Sequence, residues 1–268
     1  MTTTVTRALS GAVYVLLLVG ATLYSPYSFL LLFGVLLLFS VGEFCKLVGL
    51  KPVFPLLLAT LGYILFNLDN TVKTNEILLL IAALLVSIRS LVFLFEKKNR
   101  FLDKQSKYVF LIGYLIIPII IFTKIPFISN SYHPEIIIAI LILIWTNDTF
   151  AYLVGITIGK TKLFERISPN KTWEGAIGGA FLTVFVGFLC WYFFKEYPVL
   201  LYIGFAIIIA VVGSLGDLVQ SMLKRSLNVK DSGKLMPGHG GVLDRFDGLI
   251  LASPFIYAWF IFVENILI

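Results

Sequence analysis

The chain has 268 residues, of which 59% are hydrophobic and only 13% are charged, and its formal net charge at pH 7 is +6. Its mean hydropathy is +0.97, and soluble globular proteins carry about 25% charged residues, so the composition excludes a water-soluble protein. We therefore predict an integral membrane protein without a separate soluble domain.

Nine apolar segments are long enough, or nearly so, to cross a bilayer as helices. We predict an all-α polytopic membrane protein, with about nine transmembrane helices in one bundle and a single integral membrane domain over residues 1–268. Residues 1–130 would supply the N-terminal helices, and residues 131–268 would supply the catalytic helices and loops. The predicted spans cover approximately residues 8–24, 28–45, 52–68, 76–95, 108–129, 134–155, 174–194, 198–222 and 248–266.

Lysine and arginine are distributed unevenly over the loops between these spans. Seventeen of the 21 cations lie on the side that holds the N-terminus, three lie on the other side, and Arg89 lies inside a span. By the positive-inside rule the cation-rich side is cytoplasmic. We therefore predict a multi-pass protein of the cell (inner) membrane, with its N-terminus and its active site facing the cytoplasm.

Charged residues inside the spans need partners, because charge at membrane depth is costly. Glu43 and Lys46 are three residues apart on one helix, so we expect them to pair with each other. Asn147 and Asp148 follow the apolar run 136–144 in the sixth span. An acid at that depth should face a partner or a wet cavity and not lipid.

The loop between the sixth and seventh spans is basic. Ser168 followed by Pro169 is typical of a helix start, and such an N-terminus with Lys171 nearby would accept a phosphate group. The alternative is a basic loop that is attracted to anionic lipid headgroups. The loop alone does not decide between these interpretations.

Small residues recur every four positions at the start of the seventh span, at Gly175, Gly179, Thr183 and Gly187. Such a stripe lets another helix approach closely. The sequence does not say whether that helix belongs to this chain or to a second subunit.

The stretch from Asp217 to Gly248 holds most of the chemistry, with five Lys or Arg and four Asp in 32 residues. Asp217, Ser221, Lys224 and Arg225 sit at i, i+4, i+7 and i+8, which is one face of a helix. The alternative interpretation is that Asp217 only neutralises a buried cation.

A glycine-rich turn follows at residues 237–241, between Lys230 and the run that contains Asp244 and Asp247. Glycines there permit positive φ and leave backbone N–H groups free to bind an anion. Asp217 and Asp244 are 27 residues apart, and the intervening loop must return to the same membrane face, so the two carboxylates can converge. Carboxylates beside Lys and Arg suit Mg²⁺ bound to phosphates, which indicates a metal–phosphate site at the membrane surface.

These residues resemble the signature of the phosphatidate cytidylyltransferases, also called CDP-diacylglycerol synthases. The resemblance rests on Ser221-x-x-Lys224-Arg225, Lys230-Asp231-x-Gly233 and Pro237-Gly238-His239-Gly240-Gly241-x-x-Asp244-Arg245-x-Asp247. Upstream, residues 148–175 are also similar to the family, with Asn170 where many members carry Lys. The resemblance covers about residues 145–250, and the first four spans match only as membrane helices.

The resemblance implies a membrane enzyme that converts CTP and phosphatidic acid to CDP-diacylglycerol and pyrophosphate, with Mg²⁺, often with K⁺, in a homodimer. The implied partners are CTP, phosphatidic acid and membrane lipids, and we expect no nucleic-acid partner. Asp217 and Asp244 would be the metal ligands. The candidate catalytic residues are Asp217, Asp244, Lys224, Arg225 and Asp247. The candidate substrate-binding residues are Ser221, Lys230, Asp231, His239, Arg245, Lys171, Asn147 and Asp148.

Two other classes of protein compete with this interpretation. A CDP-alcohol phosphatidyltransferase signature begins Asp-Gly, as Asp247-Gly248 does, but it continues with further Asp residues that are absent here. A transporter of anionic solutes would also explain buried charge and broken helices. It would place polar groups in both halves of the bundle, and the outer half here has almost none.

The predicted topology can be tested with a reporter fused after Ile268. Nine spans and a cytoplasmic N-terminus place this fusion outside the cytoplasm, so a periplasm-active reporter should score and a cytoplasm-active one should not. The opposite pattern would mean that the spans are miscounted.

Overall fold

The computed structural model describes residues 3–68, 73–95, 103–129, 131–233, 235–236, 238 and 240–267. These ranges contain nine apolar helices and one short hairpin. The helices are α1 (Thr3–Tyr24), α2 (Pro26–Val48), α3 (Val53–Leu68), α4 (Lys73–Phe95), α5 (Lys104–Phe127), α6 (Pro134–Ile158), α7 (Trp173–Phe194), α8 (Val199–Ser226) and α9 (Asp247–Leu267). The hairpin strands are β1 (Lys162–Phe164) and β2 (Ser168–Thr172).

The all-α polytopic prediction is confirmed within the described ranges. Eight of the helices are long and apolar enough to cross a bilayer. The third predicted span is the short one, because α3 has 16 residues. At about 1.5 Å per residue it extends roughly 24 Å, less than the roughly 30 Å of a hydrocarbon core.

Two helices contain a π-helical segment, Phe110–Ile116 in α5 and Ile209–Gly213 in α8. Such wide turns concentrate near functional sites because they re-aim the residues that follow. The buried Tyr114 hydroxyl of the first segment donates to the Gly216 carbonyl oxygen at 3.4 Å, just after the second. The irregular turns of the two helices therefore meet beside Asp217.

The predicted helix start at Ser168 and Pro169 is wrong. Ser168–Thr172 forms β2, which pairs antiparallel with β1, and α7 begins only at Trp173. Thr172 is the N-cap, with its hydroxyl accepting the N–H of Gly175 at 3.2 Å. The Glu174 carboxylate accepts the N–H groups of residues 160 and 161, which fixes the start of the hairpin against the helix and favours the strand.

The small-residue stripe of α7 packs against helices of this same chain. A Cβ atom added to Gly179 would lie 3.0 Å from the Cβ of Ala151 in α6. One added to Gly187 would lie 3.0 Å from the Cβ of Ala206 in α8. The stripe therefore sets the spacing of α6, α7 and α8, and α6 and α8 carry Asn147, Asp148 and Asp217.

A second close approach joins α8 to the start of α9. A Cβ atom on Gly216 would lie 2.7 Å from the carbonyl oxygen of Asp247, and one on Gly248 would lie 3.2 Å from the carbonyl oxygen of Gly213. The bulk missing at these glycines makes room for the neighbouring backbone. This crossing brings Asp217 and Asp247 to the same end of the bundle.

The other end of the bundle has its own charged contact. Glu76 of α4 lies 3.3 Å from the Nζ of Lys124 in α5, and the hydroxyl of Tyr257 in α9 donates to Glu76 at 2.6 Å. Lys124 is buried, so its charge needs this partner. The contact fastens three helices together.

Gly187→Val should destabilise the protein, because the added side chain has no room between α7 and α8. Overpacking of this kind costs about 1–3 kcal/mol, which should lower the thermal unfolding midpoint in detergent. Gly20→Val is the matched control, since a Cβ atom there meets nothing within 4 Å and the β-branched residue is the same. Equal unfolding midpoints for the two variants would contradict the tight packing at Gly187.

Candidate active site

A cavity of about 750 Å³ opens where α6, α7, α8, the hairpin and the start of α9 come together. This volume lies within the range of small-molecule sites, which is about 300–1,000 Å³. Nine of the predicted site residues line it, namely Asn147, Asp148, Lys171, Asp217, Lys224, Asp231, Asp244, Arg245 and Asp247. The tertiary structure thus brings together residues from both halves of the predicted site.

Asp217 is held from two sides. Ser221, one helical turn later, donates its hydroxyl to Asp217 Oδ1 at 3.2 Å, as the i, i+4 spacing predicts. Lys171 of β2 places its Nζ 2.5 Å from Asp217 Oδ2. Asp217 therefore does neutralise a cation, and it does so at the wall of a cavity and not in a sealed core.

Asp244 forms the second acid–lysine pair. Its Oδ1 lies 2.7 Å from the Nζ of Lys224, and its Oδ2 accepts the N–H groups of Ser232 at 2.8 Å and Gly241 at 3.0 Å. Burial by itself raises the pKa of Asp244, but the Lys224 hydrogen bond and charge and these two N–H groups outweigh it, so the pKa lies below its usual range. Asp244 is therefore ionised at neutral pH.

Asn147 and Asp148 enter the site from α6. The Asn147 Nδ2 donates to the Ser214 hydroxyl at 3.1 Å, whereas its buried Oδ1 has no hydrogen-bond partner among the described residues. Asp148 is exposed and lines the cavity, in agreement with the prediction that an acid here faces a wet space. A carbonyl oxygen that lacks a hydrogen-bond partner can bind a cation or accept a hydrogen bond from a ligand.

The charges of the wall are nearly balanced. Among the described residues that line the cavity, five are aspartates and four are Lys or Arg, which leaves one negative charge in excess. A triphosphate would be repelled by such a wall alone. A divalent cation would reverse the sign, and carboxylate and amide oxygens are the ligands that Mg²⁺ accepts.

Three of the predicted residues that the structure describes do not line this wall. Ser221 acts on the site through Asp217, as described above. Arg225 is exposed and turns its guanidinium toward the Val229 carbonyl oxygen at 3.4 Å, and Lys230 is exposed on the loop. His239 lies outside the described residues. The roles of Arg225, Lys230 and His239 in substrate binding stay predictions.

The glycine-rich turn adopts the predicted backbone, but internal carboxylates take its N–H groups. Gly238 and Gly240 have φ of +77° and +86°. The Gly241 N–H goes to Asp244, and the N–H groups of Val242 and Leu243 donate to Glu43 at 3.1 and 2.9 Å. The Gly241 N–H of the predicted anion nest and the two N–H groups that follow it thus bind the protein's own carboxylates.

Glu43 is the residue that the sequence interpretation missed. The predicted Glu43–Lys46 pair is wrong, because the Glu43 carboxylate also accepts the hydroxyl of Ser232 at 3.2 Å and is buried in the loop. A Cβ atom on Gly233 or Gly241 would collide with that carboxylate, which explains both glycines. The sequence signals for this contact were an acid near the end of a helix and glycines in a distant loop. Residue spacing along one helix could not show that the two meet.

A group of side chains that could hold a metal ion lies at the other end of the bundle. His133 Nδ1 is 2.9 Å from Glu135 Oε1 and 2.8 Å from Glu196 Oε1, and the candidate ligand atoms all lie within 4.8 Å of one another. Thirteen residues of α6 separate Glu135 from Asp148, which is about 20 Å along the axis. This group is therefore separate from the cavity.

The fold and the cavity define a polytopic membrane protein with a cavity lined by acids and cations at one end of its bundle. The profile of a family described as the Cytidylyltransferase family matches residues 5–263, so the chain belongs to this family. The match includes the first four spans, which the sequence interpretation had treated as generic helices.

Curated relatives carry the name phosphatidate cytidylyltransferase. The protein of Staphylococcus aureus (strain COL) is 33% identical over 240 residues, which is 85% of this chain and 91% of the relative. The Rickettsia typhi protein is 38% identical over 164 residues, 58% of this chain and 72% of the relative. The Bacillus subtilis (strain 168) protein is 44% identical over 117 residues, 43% of this chain and 44% of the relative.

Glu43→Gln should loosen the loop that carries Asp231 and Asp244. The glutamine amide carries no charge, and its NH₂ group would face the N–H and O–H donors that now bind the carboxylate. Hydrogen bonds to a charged group contribute about 1.5–3 kcal/mol each to stability, and this contribution would be lost. Hydrogen exchange of the amides of residues 241–243 should accelerate roughly tenfold or more.

Glu76→Gln is the matched control, since it also removes a carboxylate that holds a partner, here Lys124, but at the opposite end of the bundle. It should lower the unfolding midpoint without altering exchange in the loop. Unchanged protection at residues 241–243 in Glu43→Gln would show that Glu43 does not hold this loop.

Proposed function

We propose that this cavity is the active site in which the protein joins CTP to phosphatidate, forming CDP-diacylglycerol and releasing pyrophosphate for phospholipid synthesis. The observation that carries the proposal is the pair of acid–lysine contacts, Asp217 with Lys171 and Asp244 with Lys224, in the wall of one cavity. Membership of the Cytidylyltransferase family and the relatives' name support the reaction. They also argue against the transporter and CDP-alcohol phosphatidyltransferase alternatives.

We propose Asp217 and Asp244 as ligands of Mg²⁺. The oxygen donors of the wall fit a hard divalent cation, and the orphaned Asn147 Oδ1 adds a neutral oxygen to the carboxylates. That neutral carbonyl is also the ligand type that suits the K⁺ implied by the family resemblance. When bound, Mg²⁺ would neutralise and orient the phosphate oxygens of CTP.

The reaction that follows is a displacement at the α-phosphorus of CTP. A phosphate oxygen of phosphatidate forms a bond to this phosphorus, the bond to the oxygen that bridges to the β-phosphorus breaks, and pyrophosphate leaves with the electron pair. A phosphomonoester has a second pKa of about 6, so the nucleophile is largely dianionic at neutral pH and needs no strong base. Positioning and charge neutralisation then supply most of the catalysis.

The lysines have a defined part in this scheme. In the structure each is neutralised by an aspartate, Lys171 by Asp217 and Lys224 by Asp244. With Asp217 and Asp244 holding Mg²⁺, the ammonium groups of Lys171 and Lys224 would be available to the phosphates of CTP and phosphatidate. Arg245, which is exposed and lines the same wall, is placed to hold a third phosphate group.

We also propose that the cavity faces the cytoplasm. The cavity lies at the end of the bundle where α6 ends, α7 begins and α8 ends. These are the connections that hold much of the cation excess, in line with the positive-inside rule. The homodimer implied by the resemblance stays a prediction.

Asp217→Asn and Asp244→Asn should each lower turnover at least a hundredfold, because each removes a metal ligand and leaves a lysine uncompensated. Pyrophosphate release from purified protein, measured with CTP, phosphatidate and Mg²⁺ together and with each omitted in turn, checks this result. Asp103→Asn, an exposed carboxylate outside the cavity, is the control.

Turnover with CTP, dCTP, ATP and UTP in the same assay identifies the base that is read. Near-normal activity in Asp217→Asn or Asp244→Asn, with the fold retained in detergent, would remove that residue from the metal site. Pyrophosphate release without phosphatidate would contradict the proposed reaction itself.

A further inference from the structure

A second cavity, of about 770 Å³, lies between α2 and α3 under the loop residues Ser232, Gly233 and Leu235. We call it the lateral groove. Its walls are residues of α2 and α3, and Ser232, Gly233 and Leu235 form its roof. It shares no lining residue with the active-site cavity, so the two are separate spaces among the described residues.

The lateral groove has the depth of one membrane leaflet. The α2 residues that line it run from Val35 to Lys46, which is about 16 Å along a helix and about half of a roughly 30 Å hydrocarbon core. Val35 and Phe39 are exposed, so the groove is open on its lipid side. Beyond its deep end Tyr63 packs on Gly34, where an added Cβ atom would lie 3.0 Å from the ring.

Polarity in the groove changes along its length in the way that a phospholipid requires. Most of the groove is lined by apolar side chains of α2 and by Leu56 and Thr60 of α3, and the Thr60 hydroxyl already donates to the Leu56 carbonyl oxygen. The shallow end holds Lys46, Glu43 and Ser232.

The shallow end presents an exposed ammonium group. The Glu43 carboxylate is occupied by the loop, as described above, and Lys46 is exposed and forms no ion pair with any described residue. The Glu43 carboxylate faces the loop, so an exposed ammonium group at the polar end of an apolar groove is the group that would contact the phosphate of an anionic headgroup.

We propose that the lateral groove binds one anionic diacyl phospholipid of the adjacent leaflet, with its phosphate at Lys46 and an acyl chain along α2. We assign this lipid as an accessory ligand and not the substrate, because the groove and the active-site cavity share no lining residue among those that the structure describes. Its position is nevertheless next to the catalytic wall. Asp231 lines the active-site cavity and the following residue, Ser232, lines the groove, while the Ser232 N–H holds Asp244. The bound lipid therefore braces the loop that positions Asp244.

The groove can be blocked without disturbing the helices around it. Gly42 lines the groove, and a Cβ atom there meets nothing within 4 Å, so Gly42→Leu places a side chain in the space that the lipid would occupy. Gly20→Leu is the matched control, since Gly20 is also a helical glycine with open space around it and lies outside the groove.

Native mass spectrometry of protein incubated with phosphatidylglycerol and phosphatidylcholine of equal chain length, without CTP, measures the binding. The wild type and Gly20→Leu should retain one phosphatidylglycerol in preference to phosphatidylcholine, and Gly42→Leu should lose it. Lys46→Gln should weaken retention about fivefold, since a surface lysine contributes about 1 kcal/mol to anionic-lipid binding. Lys51→Gln, a nearby lysine outside the groove, should not.

A parallel sample with phosphatidate tests whether the lateral groove is an accessory site or the route by which the lipid substrate enters. If the groove retains phosphatidate but not phosphatidylglycerol, or shows no preference for phosphatidylglycerol over phosphatidylcholine, the proposal is wrong. It is also wrong if Gly42→Leu retains lipid as the wild type does. Because lipid retention is measured without turnover, these outcomes are independent of the proposed reaction, whose failure would appear only in the pyrophosphate assay.

Discussion

The structure around the cavity depends on the saturation of two buried carboxylates. Glu43 accepts two backbone N–H groups and a hydroxyl, and Asp244 accepts two backbone N–H groups and the Lys224 ammonium group. Unpaired, either charge would be too costly at the end of an apolar bundle. The need to pair them draws Ser232 and residues 241–243 against α2 and α8.

This arrangement separates two tasks that the sequence had assigned to one turn. The backbone N–H groups of residues 241–243 hold the protein's own acids in place, so in the proposed reaction these three groups would not bind substrate phosphates and side chains would. Lys171 and Lys224 are suited to that task because each is already at the cavity wall. A buried acid–lysine pair contributes little net stability, so a change of partners between metal, phosphate and lysine is energetically accessible.

Close helix packing sets where these groups stand. The glycines of α7 let α6 and α8 approach, and the contact of Gly216 with Asp247 brings the start of α9 beside α8. Within the membrane such small-residue contacts replace the hydrophobic driving force between helices. The polar cavity is therefore built on backbone-to-backbone crossings, and side-chain volume at a few glycine positions determines its shape.

The sequence by itself determined the membrane class, the location of the apolar helices, the Asp217–Ser221 contact and the concentration of chemistry after Asp217. Hydropathy, the 3.6-residue period and turn composition report interactions between residues that are close along the chain. Only the tertiary structure decided that Glu43 binds a loop 200 residues away, that Ser168–Thr172 is a strand and that Arg225 faces away from the cavity. The partner of a buried charge is chosen by which helices pack together, and no local spacing encodes that choice.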